Sequence, residues 1–263
     1  MKMINEVEYL KRNYNIDGIR FFDPNFFLKI ERVREFANAL IKDNIDLKWA
    51  ASGTIQQFRS IDINDLKLMY LSGLRYVEFG IESGDENVRS NVLNKKFTNN
   101  DAMKVLRSFS EVGLQFKFNI MLGFPGEQPE QSLKSLDYAL DIITKHPNAS
   151  IGGHLYIYMP FPGTKLYELS CEKGYSPLSQ LEEFSNINYS NSSCLPWLSK
   201  KHMKMIDVIS IMSYFLSASA NHIPFKGFKK IAFRMMRYLY IFRLKYKIFM
   251  FTPDIKILSK VLY

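Results

Sequence analysis

The stretch Leu74-Arg-Tyr-Val-Glu-Phe-Gly-Ile-Glu-Ser-Gly84 decides the fold, because it begins as a β-strand and ends in polar and glycine residues. At a period of two residues, Glu78, Gly80 and Glu82 share one face of the strand and the apolar residues share the other. In a sheet covered by helices both faces are buried, so carboxylates there are costly unless polar groups meet them. The stretch therefore predicts a strand of a parallel barrel that delivers Glu82 and Ser83 to a site at its carboxyl end.

Strands and helices alternate on both sides of this stretch. The other predicted strands cover 19–22, 47–52, 115–122 and 151–159, and the predicted helices cover 5–14, 26–42, 63–71, 87–93, 101–112, 130–145 and 165–173. Short connections and similar unit lengths favour an α/β partial barrel with a parallel sheet. We predict this domain over 1–176, followed over 177–263 by an extension with a loop, an apolar helix at 201–220 and a basic helix at 225–251.

The net charge of +9 is concentrated in that extension, where no acidic residue lies between Asp207 and Asp254. The basic stripe predicted for the helix at 225–251 consists of Lys226, Lys230, Arg234, Arg237 and Lys245. Charges interrupt this helix too often for a membrane span, but it could dock on a membrane surface or an acidic partner. The alternative is that its apolar side closes the barrel while its lysines are solvated. No nucleic acid is expected as a partner, because the stripe lies on one terminal helix rather than on a recognised module.

The first residues show no signal-peptide pattern, and the two cysteines, Cys171 and Cys194, have neither a disulfide framework nor metal-ligand spacing. We therefore expect a cytoplasmic protein that can associate peripherally with a membrane. We assign no metal ligand.

Unusual sequence follows the ends of the predicted strands. The stretches are Asp23-Pro-Asn-Phe26, Ser52-Gly-Thr54, Gly80-Ile-Glu-Ser-Gly84, Gly123-Phe-Pro-Gly-Glu127 and Met159-Pro-Phe-Pro-Gly-Thr164. Glycine and proline at any one of them are ordinary turn residues. Because the carboxyl ends of parallel strands meet at one rim, the five together predict a ligand site there.

Four motifs occur in a particular order and spacing: Phe21-Phe-Asp-Pro-Asn-Phe26, Val77-Glu-Phe-Gly-Ile-Glu-Ser-Gly84, Met121-Leu-Gly-Phe-Pro-Gly-Glu127 and Pro160-Phe-Pro-Gly-Thr164. In this the sequence resembles the radical S-adenosylmethionine (SAM) superfamily, and most closely the branch that often carries an N-terminal cobalamin-binding domain. The resemblance covers 1–174. It implies a partial parallel (β/α) barrel of radical-SAM type with strands 2 to 6.

The resemblance also implies SAM as a cofactor. Glu82 and Ser83 match the motif that meets its ribose and methionine parts, and Gly123 matches the glycine motif beside the adenosine. Met159 and Pro160 lie where the backbone reads adenine in relatives.

Other positions match the family less directly. Asp23 lies at the end of the second strand, near the methionine amino group in relatives, and Lys96 loosely matches a basic residue that meets the carboxylate. Ser52 and Gly80, both at strand ends, complete the predicted cofactor-binding set.

Three residues are weaker candidates for substrate contacts. Glu78 shares a face with Glu82, Asn119 shares a face with Met121, and His154 is predicted to lie within a strand. The alternative interpretation is that each is an ordinary hydrogen-bonded residue of the core. His146 and His202 are predicted to be surface residues.

The family's defining element is a Cys-x-x-x-Cys-x-x-Cys loop whose thiolates hold a four-iron four-sulfur cluster, from which an electron cleaves SAM to a 5′-deoxyadenosyl radical. The sequence contains neither this loop nor the family's first strand, and Cys171 and Cys194 cannot replace the loop.

Two explanations for the missing loop remain open. The chain is the C-terminal piece of a longer or split enzyme whose upstream polypeptide carries the loop, or it is a short paralogue that kept a binding role. Either way we assign no catalytic residue and expect no SAM cleavage by this polypeptide alone. Cobalamin is expected only of full-length relatives.

Overall fold

The computed structural model describes residues 2–180, 182–183, 192, 195–216, 227–250 and 252–255. The strands are β1 Gly18–Arg20, β2 Lys48–Gly53, β3 Leu74–Glu82, β4 Gln115–Leu122, β5 Ala149–Ile151 and β6 Tyr156–Ile157. The helices are α1 Lys2–Tyr14, α2 Ile30–Lys42, α3 Ile55–Phe58, α4 Ile63–Leu71, α5 Asn99–Val112, α6 Pro129–Lys145, α7 Lys165–Glu172, α8 Lys200–Ser213 and α9 Phe228–Lys245.

The strands form one sheet in the order β1-β2-β3-β4-β5, and β6 pairs with β4. The pairs β1–β2, β2–β3 and β4–β6 are parallel. Within this sheet β1 is an edge strand. The predicted α/β class with a parallel sheet is confirmed.

The residues group into two compact units. Unit 1 comprises Met1–Ile81, Phe97–Phe118 and His146–Ala149, and unit 2 comprises Glu82–Lys96, Asn119–Lys145 and Ser150–Tyr263. The boundary expected at residue 176 stays a prediction.

Unit 1 has a core built largely from aromatic rings. Phe21 stacks on the buried Phe26 with ring centroids 4.3 Å apart, so the two ends of the Phe21–Phe26 motif pack on this core while the four residues between them are exposed. Farther along, Phe109 contacts Phe58 at 5.0 Å and Phe79 at 5.2 Å, both edge to face. Aromatic pairs of this geometry add about 0.5–1.5 kcal/mol each beyond their buried area, so the ring cluster stabilises the layer beneath β2 and β3.

Local sequence explains where several helices begin. Thr98 caps α5 in a reciprocal capping box with Asp101. Thr54 forms the same arrangement with Gln57 at α3, a short helix that the sequence pattern did not reveal.

Four predicted elements differ from those observed. The strand expected at 151–159 is two short strands separated by bends. The helix expected at 26–42 begins with a separate 3-10 turn at Phe26–Leu28, and the one expected at 87–93 is a π-helical turn at Val88–Val92. The helix expected at 201–220 ends at Ser213 and continues as a 3-10 turn, Tyr214–Leu216, after which 217–220 lie outside the described residues.

The helical C-terminal part belongs to unit 2. Ser213 at the end of α8 accepts a hydrogen bond from the Leu155 backbone N–H at 2.7 Å. The ring of Phe215 lies 4.6 Å from that of Tyr240, which connects the 3-10 turn to α9. No helix in the described part of the chain is long and apolar enough to cross a membrane.

Candidate functional site

The two faces of β3 differ as the period-two pattern predicts. Val77, Phe79 and Ile81 are fully buried, whereas Glu78, Gly80 and Glu82 are only partly buried. The expectation that both faces are fully buried is therefore wrong, since this face keeps access to solvent. Both carboxylates nevertheless have cationic partners.

In unit 1 the carboxylate of Glu78 lies between two cations. Its Oε1 is 3.1 Å from the Lys117 ammonium, and its Oε2 accepts a hydrogen bond from the Arg20 guanidinium. These pairs neutralise the charge on this face of the sheet. The structure thus gives Glu78 an intramolecular role beside the predicted substrate contact.

The other unit 1 candidates lie at or just beyond strand ends. Ser52 is half-buried near the end of β2, and Gly80 is half-buried near the end of β3. Asp23 is exposed in the loop after β1, and its carboxylate has no hydrogen-bond partner among the described residues.

In unit 2, Glu82 combines a strained backbone with a carboxylate that is only half satisfied. Its φ of 69° lies in the left-handed region, which non-glycine residues rarely adopt without a compensating reason. Its Oε1 is 3.1 Å from the Lys95 ammonium. Its Oε2 is buried and has no hydrogen-bond partner among the described residues. A buried acceptor of this kind suits a donor supplied by a ligand.

Lys95, the cation that contacts Glu82, directly precedes the predicted cofactor contact Lys96. The backbone N–H of Lys95 donates to the Arg89 carbonyl at 2.9 Å, which fixes the chain just before its side chain turns to Glu82. Lys96 is exposed. The predicted contact of Lys96 with the carboxylate of SAM stays a prediction.

Ser83 and Gly84 attach the end of β3 to α6. The Ser83 hydroxyl is fully buried and lies 3.1 Å from that of Ser135, to which the Gly84 N–H also donates at 3.0 Å. A Cβ atom at Gly84 would lie 2.6 Å from the Cβ of Tyr138, so only glycine allows this close approach. These contacts give Ser83 a positioning role, and its direct contact with a cofactor stays a prediction.

Asp85 and Arg89 are buried residues of this turn that the sequence did not single out. The Asp85 carboxylate accepts hydrogen bonds from the Val88 N–H at 3.0 Å and from the Lys134 ammonium at 2.9 Å. Burial alone would raise the pKa of Asp85, but Lys134 and the Val88 N–H outweigh burial and lower it. Arg89 donates to the Ser83 carbonyl at 2.7 Å. The spacing of Asp85 to Val88, typical of an Asx cap, was the available signal.

The Gly123–Glu127 loop is closed by its own glutamate. The Oε2 of buried Glu127 accepts hydrogen bonds from the N–H groups of Gly123 and of Phe124, the latter at 2.9 Å, and the Trp197 indole donates to the Gly123 carbonyl at 3.1 Å. Burial raises the pKa of Glu127 to about 7, although the two backbone donors oppose the rise.

Gly123 is enclosed by the C-terminal part of the chain. Its φ is 83°, and a Cβ there would lie 3.0 Å from Leu195 and 3.1 Å from Ile206. Its predicted place beside adenosine stays a prediction. The observed contacts show that both of its backbone polar groups already have protein partners.

The remaining candidates also lie in unit 2. Met159 and Pro160 are buried just beyond β6, and Asn119 is half-buried in β4. His154 lies between β5 and β6 rather than within a strand, with its ring 4.4 Å from that of Tyr156 and 4.3 Å from that of Tyr214. Burial lowers the pKa of His154 to about 4, so this imidazole is neutral at pH 7.

Two histidines expected on the surface are buried, so that prediction is wrong. His146 hydrogen-bonds with the Ser110 hydroxyl at 2.8 Å, and His202 with the Ser132 hydroxyl at 2.9 Å. Both occur near helix ends, where a partner serine from another helix cannot be seen in the local sequence.

Parallel strands that alternate with helices define an α/β fold of the partial (β/α) barrel type. The family model of the radical SAM superfamily matches residues 2–139. The chain belongs to the radical SAM superfamily.

Two curated relatives are methyltransferases. An uncharacterised methyltransferase of Pyrococcus horikoshii is 25% identical over 167 residues, which are 64% of this chain and 34% of the relative. The cytidylyl-2-hydroxyethylphosphonate methyltransferase of Streptomyces wedmorensis is 27% identical over 143 residues, 52% of this chain and 26% of that protein. The chain thus spans about a third or less of the length of these relatives.

Solved structures share the fold. The cobalamin-dependent S-adenosylmethionine radical enzyme OxsB matches 99% of this chain and 44% of its own, with a TM-score of 0.64 at 15% identity. The radical SAM methyltransferase TsrM of Kitasatospora setae matches 67% of this chain and 34% of its own, with a TM-score of 0.53 at 17% identity. The superfamily and the partial-barrel fold predicted from the motifs are confirmed, and the matched structures include a cobalamin-dependent enzyme.

The residues present fit SAM better than they fit an iron–sulfur cluster. The unpartnered Glu82 oxygen fits a hydroxyl or ammonium donor of SAM. A cluster needs several thiolates, whereas the sequence has two cysteines and the described residues contain no group of three or more potential metal ligands.

Proposed function

We propose that this chain provides the SAM-binding side of a radical-SAM site, with Glu82 as a principal cofactor contact. The buried, unpartnered Oε2 of Glu82 is the observation that supports the proposal most strongly. Lys95 occupies the other oxygen at 3.1 Å, which orients the carboxylate and leaves Oε2 for a ligand donor. A ribose hydroxyl or the methionine ammonium of SAM has the required donor chemistry.

The surrounding residues would hold the Glu82 turn and the neighbouring loop in place. Ser83 and Asp85 attach the turn to α6, and Arg89 holds the Ser83 carbonyl, so the left-handed conformation of Glu82 is kept. Glu127 closes the neighbouring loop. When bound, SAM supplies an activated carbon–sulfur bond, and these side chains would orient the molecule that carries it.

Isothermal titration of the chain with SAM tests the assignment. In Glu82→Gln the charged acceptor is lost while the shape is kept, so affinity should fall by about 10- to 100-fold, the value of one hydrogen bond to a charged group. Glu111→Gln, which changes an exposed carboxylate on α5 in the same way, is the matched control and should bind as the wild type does. Equal SAM affinity of wild type and Glu82→Gln would refute the role of Glu82.

The chain should not cleave SAM by itself, because it lacks enough thiolates for the cluster. We propose that the cluster ligands come from another polypeptide segment. Anaerobic reconstitution with iron and sulfide, followed by iron analysis and an assay for 5′-deoxyadenosine, should give neither a stoichiometric cluster nor turnover. A stoichiometric cluster with turnover would overturn this.

We propose that such a segment joins at the free edge of β1. The Asp17 backbone carbonyl accepts a hydrogen bond from the Lys48 N–H, and the Phe21 N–H donates to the Ala50 carbonyl. Because successive residues of a strand point their backbone groups to opposite sides, Gly18 and Arg20 direct theirs away from β2. Among the described residues nothing hydrogen-bonds to those groups.

An apolar groove borders this edge. Its volume is about 720 Å³, and Val7, Leu10, Ile19 and Phe21 contribute to its walls. A strand that is added to a sheet edge binds through main-chain hydrogen bonds and through pockets for its side chains. Co-purification of a thiolate-bearing polypeptide with the tagged chain, with slowed amide exchange at Gly18 and Arg20, would support this partner.

For the assembled site we propose methyl transfer as the reaction class, since both curated relatives are methyltransferases. The alternative is a non-catalytic SAM-binding or partner subunit. The chain with its thiolate-bearing partner separates the two, because SAM turnover supports the enzyme and tight SAM binding without turnover supports the subunit.

A further inference from the structure

We propose that α9 and the residues after it form a face that binds an anionic phospholipid surface. Five large apolar residues of α9 and its C-cap are between 52% and 75% exposed: Ile231, Met235, Tyr238, Phe242 and Tyr246. Their spacings of four, three, four and four residues place them in one helical stripe. We call this set the outer stripe. Apolar residues exposed in one continuous stripe usually mark an interaction surface.

The opposite side of α9 is anchored to the protein. Tyr240 and Leu244 are buried there, and the Tyr240 hydroxyl donates to Asp254 at 2.8 Å. Arg243 also donates to Asp254 at 2.8 Å. The helix therefore already buries one apolar side in unit 2, and the outer stripe is a second apolar side facing outward.

Basic residues border the outer stripe. Lys230, Arg234 and Lys245 are exposed, and Lys245 lies 5.9 Å from the ring of Tyr246. No acidic residue occurs between Asp207 and Asp254. Of the stripe predicted from sequence, Arg237 is only half-exposed and Lys226 lies outside the described residues. The charged side chains of α9 itself are therefore all basic.

A groove continues the same surface beyond the end of α9. Its volume is about 520 Å³, and its lining includes Met205, Phe249 and Met250 together with three lysines, Lys201, Lys204 and Lys247, and one acidic residue, Glu130. Met250 is 83% exposed. The groove therefore repeats the combination of apolar side chains and lysines found along the helix.

Charge complementarity and side-chain type favour a lipid surface as the partner. Aromatic rings and methionine can enter the headgroup region, while lysine and arginine extend to lipid phosphates. Each basic side chain close to an anionic leaflet adds to the affinity. The helix would lie in the plane of the membrane surface with its outer stripe toward the acyl chains.

Vesicle co-sedimentation of the full chain tests this inference, which does not depend on SAM binding. The chain should bind vesicles of equal parts phosphatidylglycerol and phosphatidylcholine at least about tenfold more tightly than pure phosphatidylcholine, and added salt should weaken binding. Met235→Ser with Phe242→Ser should reduce binding to the anionic vesicles by about tenfold or more. Arg234→Gln with Lys245→Gln should do the same.

Matched substitutions elsewhere provide the controls. Leu28→Ser with Leu71→Ser removes two leucines that are 70% and 73% exposed, and Lys67→Gln with Lys104→Gln removes two exposed lysines. Both control pairs should bind anionic vesicles as the wild type does. Absence of binding, equal binding to neutral vesicles or equal loss in the controls would each overturn the proposal. So would a dimer in solution that the Met235 and Phe242 substitutions dissociate, since a second copy would then cover the face.

Discussion

Replacing Gly84 with alanine should destabilise the protein, because α6 leaves no room for a side chain there. The added Cβ would lie 2.6 Å from the Cβ of Tyr138, 2.8 Å from the Lys134 carbonyl oxygen and 2.8 Å from the Cα of Ser135. These are backbone or Cβ atoms, which cannot move aside as the end of a flexible side chain can. Overpacking of this kind costs about 1–3 kcal/mol.

The same substitution should weaken one hydrogen bond. If the turn moves away from α6, the 3.0 Å contact from the Gly84 N–H to the Ser135 hydroxyl is lost, which adds about 1 kcal/mol. The free energy of unfolding should therefore fall by about 3 kcal/mol in all, a large part of the roughly 5–15 kcal/mol typical of a folded protein. The midpoint of thermal unfolding should fall by roughly 6–10 °C.

Urea unfolding followed by circular dichroism measures this change, with Gly126→Ala as the control. Gly126 has a φ of 82°, but a Cβ added there would meet no atom within 4 Å, so alanine should cost only about 1 kcal/mol of backbone strain. A Gly84→Ala protein within about 0.5 kcal/mol of wild type, the range of ordinary surface substitutions, would show that the turn does not pack on α6 as described.

Two further results are expected. Burial raises the pKa of Glu127 to about 7 from 4.5, so the folded state binds this proton more tightly and the contribution of Glu127 to stability should fall as pH rises from 4.5 through 7. Glu127→Gln should remove this contribution, which is about 3 kcal/mol at about 1.4 kcal/mol per pKa unit. Because the lowered pKa of His154 makes stability rise over an overlapping pH range, the test is the difference between the two proteins, and the same pH dependence of the urea midpoint in wild type and Glu127→Gln would contradict the prediction. In the isolated chain, residue-resolved hydrogen exchange should find Gly18 and Arg20 fast and Ile19 and Phe21 slow, since only the latter pair face β2. Equal protection of all four would mean that the β1 edge is already covered.

The sequence predicted the alternation of β3 correctly because side-chain direction in a strand depends only on residue parity. It could not give the depth of burial on each face, which depends on what other elements cover. Glu78 and Glu82 therefore looked costly, whereas Lys117 and Lys95 supply compensating charge on the partly exposed face. Which cation pairs with which acid depends on the tertiary structure and cannot be read from the local sequence.

The anchors of the Glu82 turn were missed for a related reason. Ser83 and Ser135 are 52 positions apart, and Asp85 and Lys134 are 49 apart. No local pattern connects them. Element types were easier to predict than the exact end of each element, because the bends before β6 and the π-helical turn after Asn87 depend on packing.

The interleaving of the two units limits how this protein can be cut or exchanged. The chain passes from one unit to the other at residues 81–82, 96–97, 118–119, 145–146 and 149–150. A single recombination event at any of these points would divide at least one of the two units, so neither unit could be released whole on its own. The two units therefore have to be inherited together. A chimaera that takes only the Glu82 turn or only the Glu127 loop would lack the partner residues, which are encoded far away along the gene.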